Sequence, residues 1–163
     1  MSISDEIVVR TATNDDCENV RNLVFGILRE YGLEPAPEGI DRDLDDIEAN
    51  YINRGGLFEV LENKEGKLLG TVGLYPFDEG RIELRKMYFL PEIRGKGLGG
   101  KILKRMIEAS KKKGYRQIIL ETASVLKEAI GLYKKFGFIE AHEKHTPRCD
   151  QSFYFDLQGK NNE

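Results

Sequence analysis

Apolar residues recur along this chain in two rhythms, and the change of rhythm marks the elements. Ile7, Val8 and Val9 form a short apolar run that predicts a first strand. Asn14 or Asp15 then stands where a helix cap is expected, and Val20 is followed at offsets of 3, 4, 7 and 8 by Leu23, Val24, Ile27 and Leu28. That spacing predicts a helix with one buried face, ended at Gly32 and followed by the loop EPAPEG over 34–39. An acidic helix is predicted over 41–52, with a thin stripe at Leu44, Ile47 and Tyr51. Past Gly55-Gly56 the chain changes to strand-like runs at 57–62, 67–77 and 81–90, joined by hairpin-length links, and these predict an antiparallel meander.

Helical spacing returns at Leu98, Ile102, Leu103, Met106 and Ile107, and Gly114 closes it. A strand at 116–122 follows, then a helix carrying Leu126, Ala129, Ile130 and Tyr133 that is broken by Gly137. FIEAHEK and QSFYFDL supply two last strands. The order β-α-α-β-β-β-α-β-α-β-β predicts an α+β domain over 1–157, with a mostly antiparallel sheet and one parallel βαβ crossover. Residues 158–163 form a polar C-terminal tail.

Composition narrows the class. A length of 163 residues can bury one core without staples, and 40% hydrophobic with 33% charged residues is a globular balance. The net charge of -3 gives no basic footprint for nucleic acid. Cys17 and Cys149 are too few for a disulfide framework and fit a reducing compartment. The first residues lack a signal-peptide pattern and every apolar run is strand-sized, so a cytoplasmic protein with no membrane partner is expected.

The candidate chemistry lies where the rhythm changes. Arg94-Gly95-Lys96-Gly97-Leu98-Gly99-Gly100 stands between a strand and a helix, and residues 95–100 formally satisfy G-x-G-x-x-G. Glu121, about twenty residues on, occupies the place of a ribose-binding acid. Two features oppose a dinucleotide site: a meander precedes the motif in place of repeated βα units, and P-E-I-R separates the strand from the first glycine. A pyrophosphate cradle survives on simpler grounds. Backbone N–H groups at a helix N-terminus attract anions, glycines allow close approach, and Arg94 and Lys96 add positive charge. A ligand-free basic turn is the bland alternative.

Arg94-x-x-Gly97-x-Gly99, after a strand ending at Pro91, resembles the acetyl-CoA pyrophosphate loop of the GNAT superfamily of N-acetyltransferases. Ala129-x-x-Leu132-Tyr133-x-x-x-Gly137-Phe138 resembles that superfamily's second signature, and the element order from Ile7 to about Leu157 is similar to its fold. The resemblance implies acetyl-CoA as acyl donor and a primary amine of a small molecule or peptide as acceptor. Many members dimerise, so a homodimer is among the partners it implies. It also implies Tyr133 as the proton donor to the departing thiolate, and backbone N–H groups along Met87, Tyr88 and Phe89 as the polarisers of the thioester carbonyl. Leu84 and Met87 break strict alternation, which predicts a bulge there. Glu83 is the candidate base, Glu121 the second choice, and a water chain a third; a solvent-facing strand glutamate paired with Arg85 or Lys86 is the plain alternative. Leu126 replaces an asparagine that many members use toward pantetheine, and Gly131 is placed for close packing.

The acids between Glu34 and Glu48 suggest either a cation-attracting cleft wall or a solvated helix. Arg148-Cys149-Asp150 suggests a step that meets an amino-acid-like acceptor, or a surface ion pair. His142, His145, Cys149 and Asp150 have poor spacing for a metal, and none is expected. A non-catalytic acyl-CoA sensor remains the alternative to an enzyme at this point.

Overall fold

The computed structural model describes residues 6–142 and 147–157. Seven strands form one sheet in the order β1-β2-β3-β4-β5-β7-β6. They span Val8–Thr11 (β1), Leu57–Glu62 (β2), Leu68–Pro76 (β3), Arg81–Phe89 (β4), Gln117–Thr122 (β5), Ile139–Ala141 (β6) and Gln151–Asp156 (β7). Among the described residues, only β4 and β5 pair in parallel and every other pair is antiparallel. The α+β expectation with one parallel crossover is met.

Three α-helices cover the sheet: Cys17–Glu30 (α1), Leu98–Lys112 (α2) and Lys127–Lys135 (α3). The stripe on α1 is buried as its spacing requires, and it packs on one sheet face with Leu44, Ile47, Tyr51, Phe58 and Val60. Helices α2 and α3 pack on the other face through Ile102, Leu103, Met106, Ile130 and Tyr133. Strand β2 shows the pleat at work. Phe58 and Val60 turn toward α1, while buried Glu59 turns toward α2 and holds Arg105 through two bonds of 2.7 and 2.8 Å.

Two expectations are corrected. The turn before α1 is capped by Thr13, not by Asn14 or Asp15: the Thr13 side chain accepts from the Asp15 backbone, and Asp16 returns a bond to the Thr13 N–H in a capping box. The acidic segment 41–52 is not one helix. It is a 3-10 turn over Arg42–Asp45 and one π turn over Glu48–Ile52, separated at Asp46. Asp46 leaves the helical region and its Oδ1 accepts from Ala49 N at 2.9 Å, a local bond that competes with the helix ladder. The stripe was sound all the same, since Leu44, Ile47 and Tyr51 are fully buried.

Strands β4 and β5 position the site. They pair only from Arg81 to Glu83 against Gln117 to Ile119, and then run on without pairing to each other. Beyond Glu83 the sheet therefore opens into a wedge, with α2 starting at its mouth.

Candidate active site

A cavity of about 740 Å³ occupies the wedge, and its two ends differ in kind. At one end the chain leaves β4 through a 3-10 turn, Pro91–Ile93, whose Ile93 is buried as an anchor. Gly95 and Gly97 then adopt φ of 76° and 80°, and a Cβ built at either would meet nothing within 4 Å. Gly97 caps α2 without any side-chain bond to its first turn. Open N–H groups, a positive helix end and no Cβ barrier make a cradle that fits a pyrophosphate. The later glycines act differently. A Cβ on Gly99 would stand 3.1 Å from Leu132 and one on Gly100 3.6 Å from Phe136, so these two let α2 approach α3.

Arg94 is committed elsewhere in this structure. Its guanidinium bonds both carboxylate oxygens of Glu30 at 2.6 and 2.9 Å, and its Nε donates to Phe89 O at 2.8 Å. Arg94 holds the exposed Glu30 carboxyl below its ordinary range and ties the loop to α1. Gly95, Gly97, Leu98 and Gly99 line the cavity with Arg94, whereas Lys96 and Gly100 are not among its lining residues.

Met87, Tyr88 and Phe89 of β4 line the cavity together with Leu126, Ala129, Leu132 and Tyr133 of the α3 segment. The expected bulge is present. Thr71 pairs with Tyr88 and Gly73 with Arg85, so Val72 alone opposes both Lys86 and Met87. Tyr133 is buried, with Phe138 and Phe153 at ring-centroid distances of 5.7 and 6.1 Å. Burial, and secondarily the nearby Tyr88 and Cys149, push its hydroxyl well above the ordinary tyrosine range. It therefore stays protonated through neutral pH.

At the far end, polar side chains have largely satisfied one another. Glu83 is buried and its Oε1 accepts from Arg85 Nε at 2.7 Å. Arg85 also lies 3.8 Å from Asp43 and stacks over Tyr75 at 3.8 Å from the ring centroid. Lys86 turns instead to Asp41 and Asp43, 3.2 Å from a carboxylate oxygen of each. Arg148 grips Asp41 through bonds of 2.8 and 3.1 Å, and Tyr51 donates its hydroxyl proton to Asp43. Burial alone would raise the Asp41 carboxyl, but Arg148 and Lys86 outweigh it and hold the group below its usual range.

Of the sequence candidates, Glu83, Tyr133, Met87, Tyr88, Phe89, Arg94, Gly95, Gly97, Leu98 and Gly99 line one cavity, and Glu121 joins them. The acids of 34–48 divide. Asp41 and Asp43 are buried ion-pair members, while Asp45 and Asp46 line the cavity from more exposed positions. Arg148 is engaged by Asp41 and by Glu34 O while it lines the cavity. Gly131 is exposed, and a Cβ there would meet nothing within 4 Å, so it serves no close packing. His145 lies outside the described residues; Asp150 bonds Ser124 N and Oγ at 2.7 and 2.8 Å. Sequence reasoning missed Lys86, Tyr51 and the Arg85 stack. No local signal marks them, because their partners lie 8 to 45 positions away in the chain.

A splayed β4–β5 pair with an anion cradle at its mouth fits a ligand that carries a pyrophosphate. Residues 22–138 match the model of the acetyltransferase (GNAT) family, and the chain belongs to that family. It is an acetyl-CoA-dependent N-acetyltransferase. It is 37% identical over 137 residues to the uncharacterized N-acetyltransferase YjgM of Escherichia coli (strain K12), covering 80% of this chain and 81% of that protein. It is 29% identical over 170 residues to the thialysine N-epsilon-acetyltransferase of Sus scrofa, covering 94% and 98%. Among solved structures, a GNAT-family acetyltransferase of Staphylococcus aureus Mu50 aligns with a TM-score of 0.87 at 24% identity, over 93% of this chain and 99% of that one. YncA of Salmonella typhimurium, a putative acetyltransferase solved with its cofactor acetyl-CoA, aligns with a TM-score of 0.73 at 19% identity, over 93% and 94%.

Proposed function

We propose that the chain, acting as one domain over 1–157, transfers acetyl directly to a primary amine, with Glu83 receiving the amine and Tyr133 serving the leaving group. The supporting observation is that both side chains line the one cavity that the glycine cradle also lines, where β4 and β5 cease to pair. Acetyl-CoA supplies the thioester. Gly95, Gly97 and the first turn of α2 hold its pyrophosphate, and Met87, Tyr88 and Phe89 receive the pantetheine arm along the unpaired edge of β4.

An alkylammonium must lose a proton before its nitrogen can attack, since at pH 7 only about one molecule in a few thousand is neutral. Glu83 bonds Arg85 through Oε1, which leaves Oε2 to take that proton directly or through water. Backbone N–H groups at the β4 bulge stabilise the oxyanion as the N–C bond forms. As the C–S bond breaks, Tyr133 donates its proton to the thiolate and regains one from the amine's proton pool. The raised affinity of the buried phenol for its proton keeps it in the donor form beforehand. The Sus scrofa relative's name supports an amine on a side-chain-like stem as acceptor.

Thermal shift against acetyl-CoA and CoA, followed by an amine panel, tests the reading. Ligand at a hundred times its dissociation constant stabilises by about 2.7 kcal/mol, several degrees in a domain of this size. Tyr133→Phe is expected to lower kcat about a hundredfold while CoA affinity holds. Unchanged turnover in that variant would remove Tyr133 from the mechanism, and no amine turnover with intact CoA binding would favour an acyl-CoA sensor.

A further inference from the structure

Lys86 carries two unfavourable features at one position. Among the described residues it alone, apart from glycines, has a positive φ, 55°. A lysine resists that conformation because its Cβ crowds the backbone, and a glycine would relieve it. Its side chain is also only 6% exposed, and a buried ammonium is tolerated only with partners. The partners are provided in full. Asp41 Oδ1 and Asp43 Oδ1 each lie 3.2 Å from Nζ, and Ile40 O accepts from it at 3.3 Å. The Lys86 carbonyl is pinned as well, accepting from the buried Thr71 Oγ1 at 2.7 Å.

Strain held by surrounding structure clusters at functional sites, and this instance sits in the β4 bulge where the strand has left β5. The residues that hold it belong to the other end of the cavity. Ile40 and Asp43 line the wall formed by 39–46, and Asp43 is fixed in turn by Tyr51 and Arg85. We infer that Lys86 is a positioning residue whose ion pairs with Asp41 and Asp43 clamp the β4 bulge in the form that aims its backbone N–H groups at the thioester carbonyl, joining the acceptor wall to the point of acyl transfer. This rests on the reading that the bulge polarises that carbonyl.

The test separates the two. Met87 is one of three methionines, so protein labelled with [15N]methionine gives a resolvable Met87 amide signal, assigned with the help of Met106→Leu. In the wild type, both ligands should shift this signal through the shared pantetheine arm, and acetyl-CoA should add a further shift from the carbonyl that CoA lacks. If the two ligands act alike, the carbonyl reading fails and the inference falls with it. With that response in place, Lys86→Gly keeps the backbone comfortable but removes the clamp, and Asp43→Asn weakens the clamp from the other side. Each is expected to lose the acetyl-specific Met87 response and about a hundredfold in kcat, because small misplacements of reacting groups are that costly. The dissociation constant of CoA should stay within about twofold, since the glycine cradle is untouched. Wild-type kcat in either folded variant would overturn the proposal, as would a loss confined to CoA affinity. Should Lys86→Gly not fold, Asp43→Asn decides; should neither fold, the network is a folding element and the proposal is wrong.

Discussion

The two ends of the cavity are built on opposite principles. The phosphate end is made of backbone, with Gly95 and Gly97 leaving space and the first N–H groups of α2 free of side-chain caps. The acceptor end is made of side chains that have already found one another: Glu83 with Arg85, Lys86 with Asp41 and Asp43, Arg148 with Asp41. A backbone cradle is set by one local segment, and it accepts any ligand that brings the right anion. A network of charges is set by the whole fold, and an acceptor entering it must exchange partners with groups already paired. That contrast places donor recognition in a short motif and acceptor recognition in tertiary contacts.

Separate damage to each end sharpens the comparison. The largest effect is expected from Arg148→Met, which leaves the fully buried Asp41 without its two guanidinium bonds and with only Ala36 N–H and Lys86 to hold it. Breaking one side of a buried pair costs about 3–5 kcal/mol, read as a lower denaturant midpoint with CoA still bound at permissive conditions. Gly97→Leu should do the reverse. At φ 80° a leucine is strained and its side chain fills the cradle, so CoA affinity should fall about a hundredfold in calorimetry, with the acceptor network intact. Loss of acceptor-end stability in Gly97→Leu would mean that the ends are not separable in this way.

Acid provides a graded version of the first test. The Asp41 carboxyl is held below its ordinary value of 3.8, so the folded state binds its proton less readily than the unfolded chain. Its stabilising contribution is present above that value and is lost as pH falls through the lowered one. Wild type should therefore lose stability on acidification below about pH 4, and an Asp41→Asn variant should show a shallower acid slope in pH-dependent unfolding. The smallest effect should come from neither end. Gly131 lies exposed within α3 with no neighbour for a Cβ, so Gly131→Ala should stabilise by up to about 1 kcal/mol without altering turnover.

Much of this was legible from local pattern. The stripe Val20, Leu23, Val24, Ile27 and Leu28 is buried on α1, and the runs at 57–62, 67–77 and 81–90 form the meander. Broken alternation near Leu84 and Met87 marked the bulge. Segment 41–52 shows where pattern stops. Its apolar stripe is buried as read, yet Asp46 diverts the backbone, and Asp41 and Asp43 turn inward to cations supplied by β4 and by the approach to β7. Charge alone could not distinguish an acid that faces solvent from one that faces a buried lysine.

The amino-acid sequence by itself determined the periodicities, the glycines of the cradle and the paired motifs that carry the family, because each depends on residues near one another along the chain. Only the tertiary structure decided that Arg94 ties the loop to α1, that Arg148 grips Asp41, and that Lys86 reaches Asp41 and Asp43. Those pairings depend on which segments the sheet brings together, and a charged side chain takes its partner from that packing.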